Sequence, residues 1–91
     1  MNNPRRKRLN EIMSTLEDLK SQLETCMSDL EECRDEEQEY FDNIPENLQS
    51  SERYDRAETA AEALTEACDN LYTLIDSMDS ITSSIEEAID V

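Results

Sequence analysis

The chain contains no glycine, no histidine and no tryptophan, and its only prolines are Pro4 and Pro45. Without glycine there is no phosphate-cradling loop of the P-loop or dinucleotide type, and no EF-hand calcium loop. Without histidine there is no imidazole base and no Glu-x-x-His di-iron motif. Serine and threonine are plentiful, but no group is placed to activate them. The sequence therefore predicts no enzyme and no bound cofactor. No apolar run approaches the roughly 20 residues that span a bilayer, so no membrane segment is expected. Residues 1–8 are basic, yet no apolar stretch follows them as a secretory signal requires. Three cysteines, an odd number, do not suggest a secreted disulfide framework. The expected compartment is the cytosol, with the thiols reduced.

Scarce proline and absent glycine favour long uninterrupted helices. A net charge of −16 with only 36% hydrophobic residues would alone suggest a disordered acidic tail. Periodicity argues the other way. One stripe reads Leu9, Ile12, Leu16, Leu19, Leu23, Cys26, Leu30, Cys33, Glu37, Tyr40, Ile44. A second reads Tyr54, Ala57, Ala61, Leu64, Cys68, Leu71, Ile75, Met78, Thr82, Ile85, Ile89. Steps of three and four place each set on one helical face, the seam of a coiled coil.

Asn3 can cap a helix that Pro4 opens, and this helix is expected over about residues 4–42. Pro45 pushes Ile44 out of helical geometry, which gives a loop over about 43–51 with a short helical turn after the proline. Ser50 or Ser51 can cap a second helix over about 52–90. The predicted fold is an all-α, antiparallel two-helix coiled-coil hairpin, dimerising into a four-helix bundle. Pairing Tyr40 with Tyr54 keeps ten seam positions in step and sets Cys26 opposite Cys68, ready to link under oxidising conditions. It also lays Arg5 to Arg8 beside Glu86, Glu87 and Asp90, so that two groups ill-placed for their own helix dipoles offset each other.

The second helix carries an extra stripe at Ala60, Ala67, Leu74, Ile81 and Ala88, whereas the first adds mainly Met13 and Met27. A wide apolar face buries against more than one helix. A homodimer packed through the second helix is the favoured reading, and a thin hairpin with exposed alanines is the alternative. Glu37, the one charge on the first seam, is read as a register-setting residue partnered by Arg34, Arg53 or Arg56. Tyr40, Phe41 and Tyr54 gather at the loop end, as a plug or as contact residues.

Acids dominate the rest of the second helix. From Ala57 onward it has no base, and Glu58, Glu62, Glu66, Asp69, Asp76 and Asp79 form a candidate partner-binding surface. Duplex DNA carries about one charge per 1.7 Å of axis. A dimer bearing twice −16 approaches that density, so it could occupy a basic groove built for nucleic acid. Solubility alone is the simpler account of such charge. Direct nucleic-acid binding is not expected. Carboxylate pairs such as Glu31 and Glu32 are read as a solvated face before any divalent-ion site.

The segment from Asp35 to Arg53, reading DEEQEYFDNIPENLQSSER, resembles one in small uncharacterised acidic helical-hairpin proteins of bacteriophages and their bacterial hosts. The likeness is most specific over residues 35–56 and carries no catalytic residue. It implies a phage or mobile-element origin, where small acidic proteins block host enzymes. The functional expectation is a non-enzymatic acidic protein-binding module, a phage-encoded modulator or inhibitor of a basic host protein in the host cytoplasm. The alternative is a structural or scaffolding coiled coil that acts only through self-assembly.

Overall fold

The computed structural model describes residues 1–91 and contains two long helices packed antiparallel, with no strand. Helix α1 spans Asn3–Asp42 and helix α2 spans Glu52–Asp90. A single 3-10 turn, Glu46–Leu48, lies in the connection. The result is a rod with extents of 69 × 16 × 14 Å. The all-α hairpin that the hydrophobic rhythm predicts is the fold the chain adopts.

Local chemistry explains each boundary. Helix α1 starts one residue earlier than the Asn3–Pro4 pair suggests. Asn2 is the cap, its Oδ1 accepting from the Arg5 N–H at 2.8 Å, and proline is tolerated in the first turn, where amides lack helical partners. At the far end the Asn43 N–H still donates to Glu39 O, after which Ile44 leaves the helix ahead of Pro45. Ile44 is then driven into the interior and is one of only five buried residues. Ser51, rather than Ser50, caps α2 by accepting from the Tyr54 N–H at 3.2 Å.

The core is a single seam. Its buried members other than Ile44 are Ala57, Ala61, Cys68 and Met78, all on α2. No α1 residue is fully buried, because two helices cannot enclose a long side chain whose end reaches the edge of the seam. On α2, the half-buried residues Tyr54, Leu64, Leu71, Ile75, Thr82, Ile85 and Ile89 join these, so the α2 seam lies where its periodicity places it.

Helix α1 is rotated from its expected setting. Leu9, Leu16, Leu23, Leu30, Glu37 and Ile44 face inward, as anticipated, but their seam partners are Met13, Lys20, Met27, Arg34 and Phe41. The expected partners Ile12, Leu19, Cys26, Cys33 and Tyr40 are exposed on one flank. Both sets repeat every seven residues beside the same leucines, so both satisfy a 3-4 spacing. The set containing two cations enters the seam because lysine and arginine can lay their aliphatic stems inward while their charges reach the edge.

This rotation also changes the pairing. The indices of Phe41 and Tyr54 total 95 and those of Lys20 and Asp79 total 99, against the 94 set by a Tyr40–Tyr54 match. Cys26 and Cys68 consequently do not meet in the core: Cys26 is exposed on the flank, and Cys68 is 1% exposed in the seam. The expected Cys26–Cys68 facing pair is thus corrected. At the open end Arg6 bridges the two helices. It donates from Nε to Ile89 O at 3.2 Å and from an Nη to Val91 O at 3.4 Å. The basic start of α1 therefore meets the carbonyl end of α2, and no ion pair forms with Glu86, Glu87 or Asp90.

Candidate interaction surfaces

The two sides of the hairpin differ in chemistry. Because the helices face one another and run in opposite directions, flanks of the same hand fall on the same side. One flank of α1 carries Ile12, Leu19, Cys26, Cys33 and Tyr40, and the matching flank of α2 carries Ala60, Ala67, Leu74, Ile81 and Ala88. Geometry at the loop end places them together: Tyr40 of α1 lines one depression with Arg53, Arg56 and Ala60 of α2. The Arg53 guanidinium also lies 5.2 Å from the centre of the Tyr40 ring and donates to its hydroxyl.

Exposure singles out this side. Ile12, Leu19, Tyr40, Leu74 and Ile81 are between 42% and 49% exposed. Away from the chain ends and the loop, Tyr72 is the sole exposed large apolar residue elsewhere. Ala60, Ala67 and Ala88 are half-buried between these larger groups. Beyond Arg56 at the loop end, the outer rim of the α2 flank is Ala63, Asn70, Ser77 and Ser84, without a charge. A continuous apolar band of this length exceeds the scattered exposure normal for a soluble surface.

The opposite side is acidic. Glu24 and Glu31 of α1 lie beside Tyr72 and Ile75 of α2. Of the candidate acids, Glu62, Glu66, Asp69 and Asp76 are exposed on the outward surface of α2, and Glu58 is half-buried. Asp79 is engaged within the chain, accepting from Lys20 Nζ at 2.6 Å. That hydrogen bond, followed by the nearby carboxylate charge, raises the Lys20 pKa above its ordinary value. Arg34 is held by Asp35 at 3.0 Å, which raises its pKa in the same way. Sequence reasoning missed both cations as seam residues. Their seven-residue spacing from Met13, Met27 and Phe41 was the available signal, masked by an alternative stripe that looked more apolar.

The loop-end aromatics divide between two tasks. Phe41 and Tyr54 are half-buried, with ring centres 4.9 Å apart and planes tilted by 43°, and they close the end of the seam. Tyr40 turns outward onto the apolar flank. Glu37 does enter the seam but takes none of the expected arginines: Arg34 binds Asp35, Arg56 binds Glu52 and Arg53 binds Tyr40. No group of three or more potential ligands converges as a metal site. No helix is long and apolar enough to cross a membrane.

Neither the models of known protein families, nor the curated proteins, nor the solved structures contain a match to this chain.

Proposed function

We propose that the chain is a non-enzymatic protein-binding module that presents acidic helical faces to a basic partner, as a phage-encoded modulator or inhibitor of a host protein. The observation that carries this reading is the segregation of charge. Every acid of α2 from Glu58 to Asp90 lies off the flank that bears Leu74 and Ile81, which leaves one uncharged band on a chain of net charge −16. Such a division gives a molecule two working sides, one for apolar contact and one for charge.

In a homodimer joined through the apolar side, twice that charge lies along a rod of 69 Å, about one negative charge per 2.2 Å. Duplex DNA has about one per 1.7 Å. A basic groove that accepts a nucleic-acid backbone is therefore a suitable receptor for the acidic side, and such occupation would inhibit its owner. The free acids Glu62, Glu66, Asp69 and Asp76 are the expected contacts, with Tyr40 available at the loop end.

The test is capture of a partner from host lysate, compared with a variant in which these four acids are changed to Asn or Gln. One near-stoichiometric basic protein, lost in the variant and released by salt, is the expected result. Affinity indifferent to salt would overturn the mimicry of nucleic acid, because exposed charge contacts are screened over about 10 Å at 0.1 M. The second reading, a scaffolding coiled coil, is favoured by the apolar side itself, and recovery of the protein with only its own copies would select it.

A further inference from the structure

The two edges of the apolar side differ: the edge on α1 is acidic and the edge on α2 is not. Just outside the band, the next positions around α1 include Glu11, Asp18, Asp29, Glu32, Glu36 and Glu39, all exposed. Glu11 lines a depression with Ile12, and Glu36 and Glu39 line another with Tyr40. None of the six forms an ion pair within the chain. On α2 the matching edge beyond Arg56 is Ala63, Asn70, Ser77 and Ser84.

Between these edges the band is grooved. Ala60, Ala67 and Ala88 are half-buried, whereas Leu19, Tyr40, Leu74 and Ile81 stand exposed. Holes of this kind between two helices receive the side chains of a third. From Ile12 to Tyr40 the band runs for about 42 Å, at 1.5 Å per helical residue.

We propose that the apolar side seats one amphipathic helix of a partner protein, with lysines or arginines along the edge that faces α1. An apolar stripe on that helix lies in the groove, and its edge toward α2 is small and neutral. The complex is a three-helix bundle about four heptads long. The inference takes from the reading above only the basic character of the partner. It makes that partner a helix and has it replace a second copy on the apolar side.

Charge decides the occupant. A second copy can cover the apolar residues, but its bases outside ion pairs, residues 5–8 and Arg53, lie at the ends of the rod. It sets none of them against the middle of the acidic edge, at Asp18, Asp29 and Glu32, and it adds −16 of its own. A basic-edged helix faces the whole row of carboxylates with opposite charge, while its stripe takes Leu74 and Ile81 out of water.

The first arm of the test uses a fluorescein-labelled peptide of about four heptads as the probe. It carries leucine on its stripe, lysine on one edge and glutamine on the other, and a twin has glutamate for each lysine. Anisotropy titration of the full chain should show the twin binding at least about tenfold more weakly, because its edge repels α1. Sedimentation should find one peptide per single hairpin. Leu74→Glu with Ile81→Glu should weaken binding at least about tenfold by burying unpaired charge, with helices intact by circular dichroism.

Two variants of equal net charge locate the edge. Asp18→Asn, Asp29→Asn, Glu32→Gln and Glu36→Gln together should weaken binding at least about tenfold. Glu62→Gln, Glu66→Gln, Asp69→Asn and Asp76→Asn, on the outward surface of α2, should change it less than about threefold. Equal losses would mean a polycation drawn to an acidic rod, and would overturn the proposal. A peptide that leaves a dimer of the chain unopened would return this side to a second copy.

The second arm reads position through Cys26 and Cys33, which are exposed within the band. The bound peptide should slow their alkylation by N-ethylmaleimide at least about tenfold, as expected of thiols shielded from the reagent. Unprotected thiols in the complex would overturn the proposal. If lysate yields no basic partner while the peptide still seats here, the inhibitor reading falls and this one stands. A captured partner that leaves both thiols reactive would keep that reading and overturn this one.

Discussion

Lys20, half-buried in the seam of α1, donates from Nζ to Oδ1 of Asp79 across the hairpin at 2.6 Å. It is the one ion pair joining the two helices. Its position accounts for the rotation of α1: a lysine enters an apolar seam when its stem packs inward and its ammonium finds a carboxylate at the edge. The Asp79 hydrogen bond is the largest cause of the raised Lys20 pKa, with Glu24 and Glu17 adding smaller attractions.

A raised pKa means that the folded chain holds this proton more tightly than the unfolded chain. The pair's contribution is therefore complete below the ordinary value of 10.5 and disappears as pH rises through the higher folded value. We expect the difference in melting temperature between wild type and Asp79→Asn to be constant from pH 7 to about 10 and to vanish above it. Thermal melts of both proteins across that range are the check. A difference that already declines near neutral pH would contradict the assignment.

Arg6 ties the start of α1 to the last carbonyls of α2, at Ile89 and Val91. Those carbonyls lack helical partners, and a cation there also complements the helix dipole. Arg6→Gln should cost about 0.5–1 kcal/mol. Hydrogen exchange should speed up in the last two turns of α2 and stay unchanged near Cys68. Acceleration spread evenly along α2 would mean that Arg6 acts on global stability instead.

Ser51 accepts from the Tyr54 N–H and sets the point at which α2 begins. Ser51→Ala should destabilise the hairpin by about 1 kcal/mol, whereas Ser50→Ala, one residue outside the cap, should be close to neutral. Urea melts of the two variants provide the comparison. Equal losses would place the cap elsewhere.

Met78 is one of the few buried side chains and the only long one among the buried seam residues of α2. Met78→Ala should cost about 2–3 kcal/mol, a large share of the stability of a hairpin with so thin a core. Met1→Ala, outside both helices, should cost almost nothing. Unfolding free energies measured by denaturant titration distinguish the two.

Much of this architecture was legible in the chain. The absence of glycine and the single interior proline give two helices and one break, and Ser51 and Pro45 act within a few residues of themselves, while the first cap falls on Asn2, one residue before the Asn3 that the sequence suggests. The α2 seam was equally legible, because Ala57, Ala61, Cys68 and Met78 belong to one unambiguous stripe. Alone, the chain could not choose between Ile12, Leu19, Cys26, Cys33, Tyr40 and Met13, Lys20, Met27, Arg34, Phe41 as the second row of the α1 seam. Each row is three or four residues from the same leucines, and hydrophobicity favoured the first. Packing decided for the second, since Lys20 could reach Asp79 and Phe41 could meet Tyr54 across the hairpin. That choice turned Ile12, Leu19 and Tyr40 outward beside Leu74 and Ile81. Local sequence set the helices and their ends through short-range hydrogen bonds. The apolar side exists only because tertiary contacts between residues far apart in the chain fixed how one helix is rotated against the other.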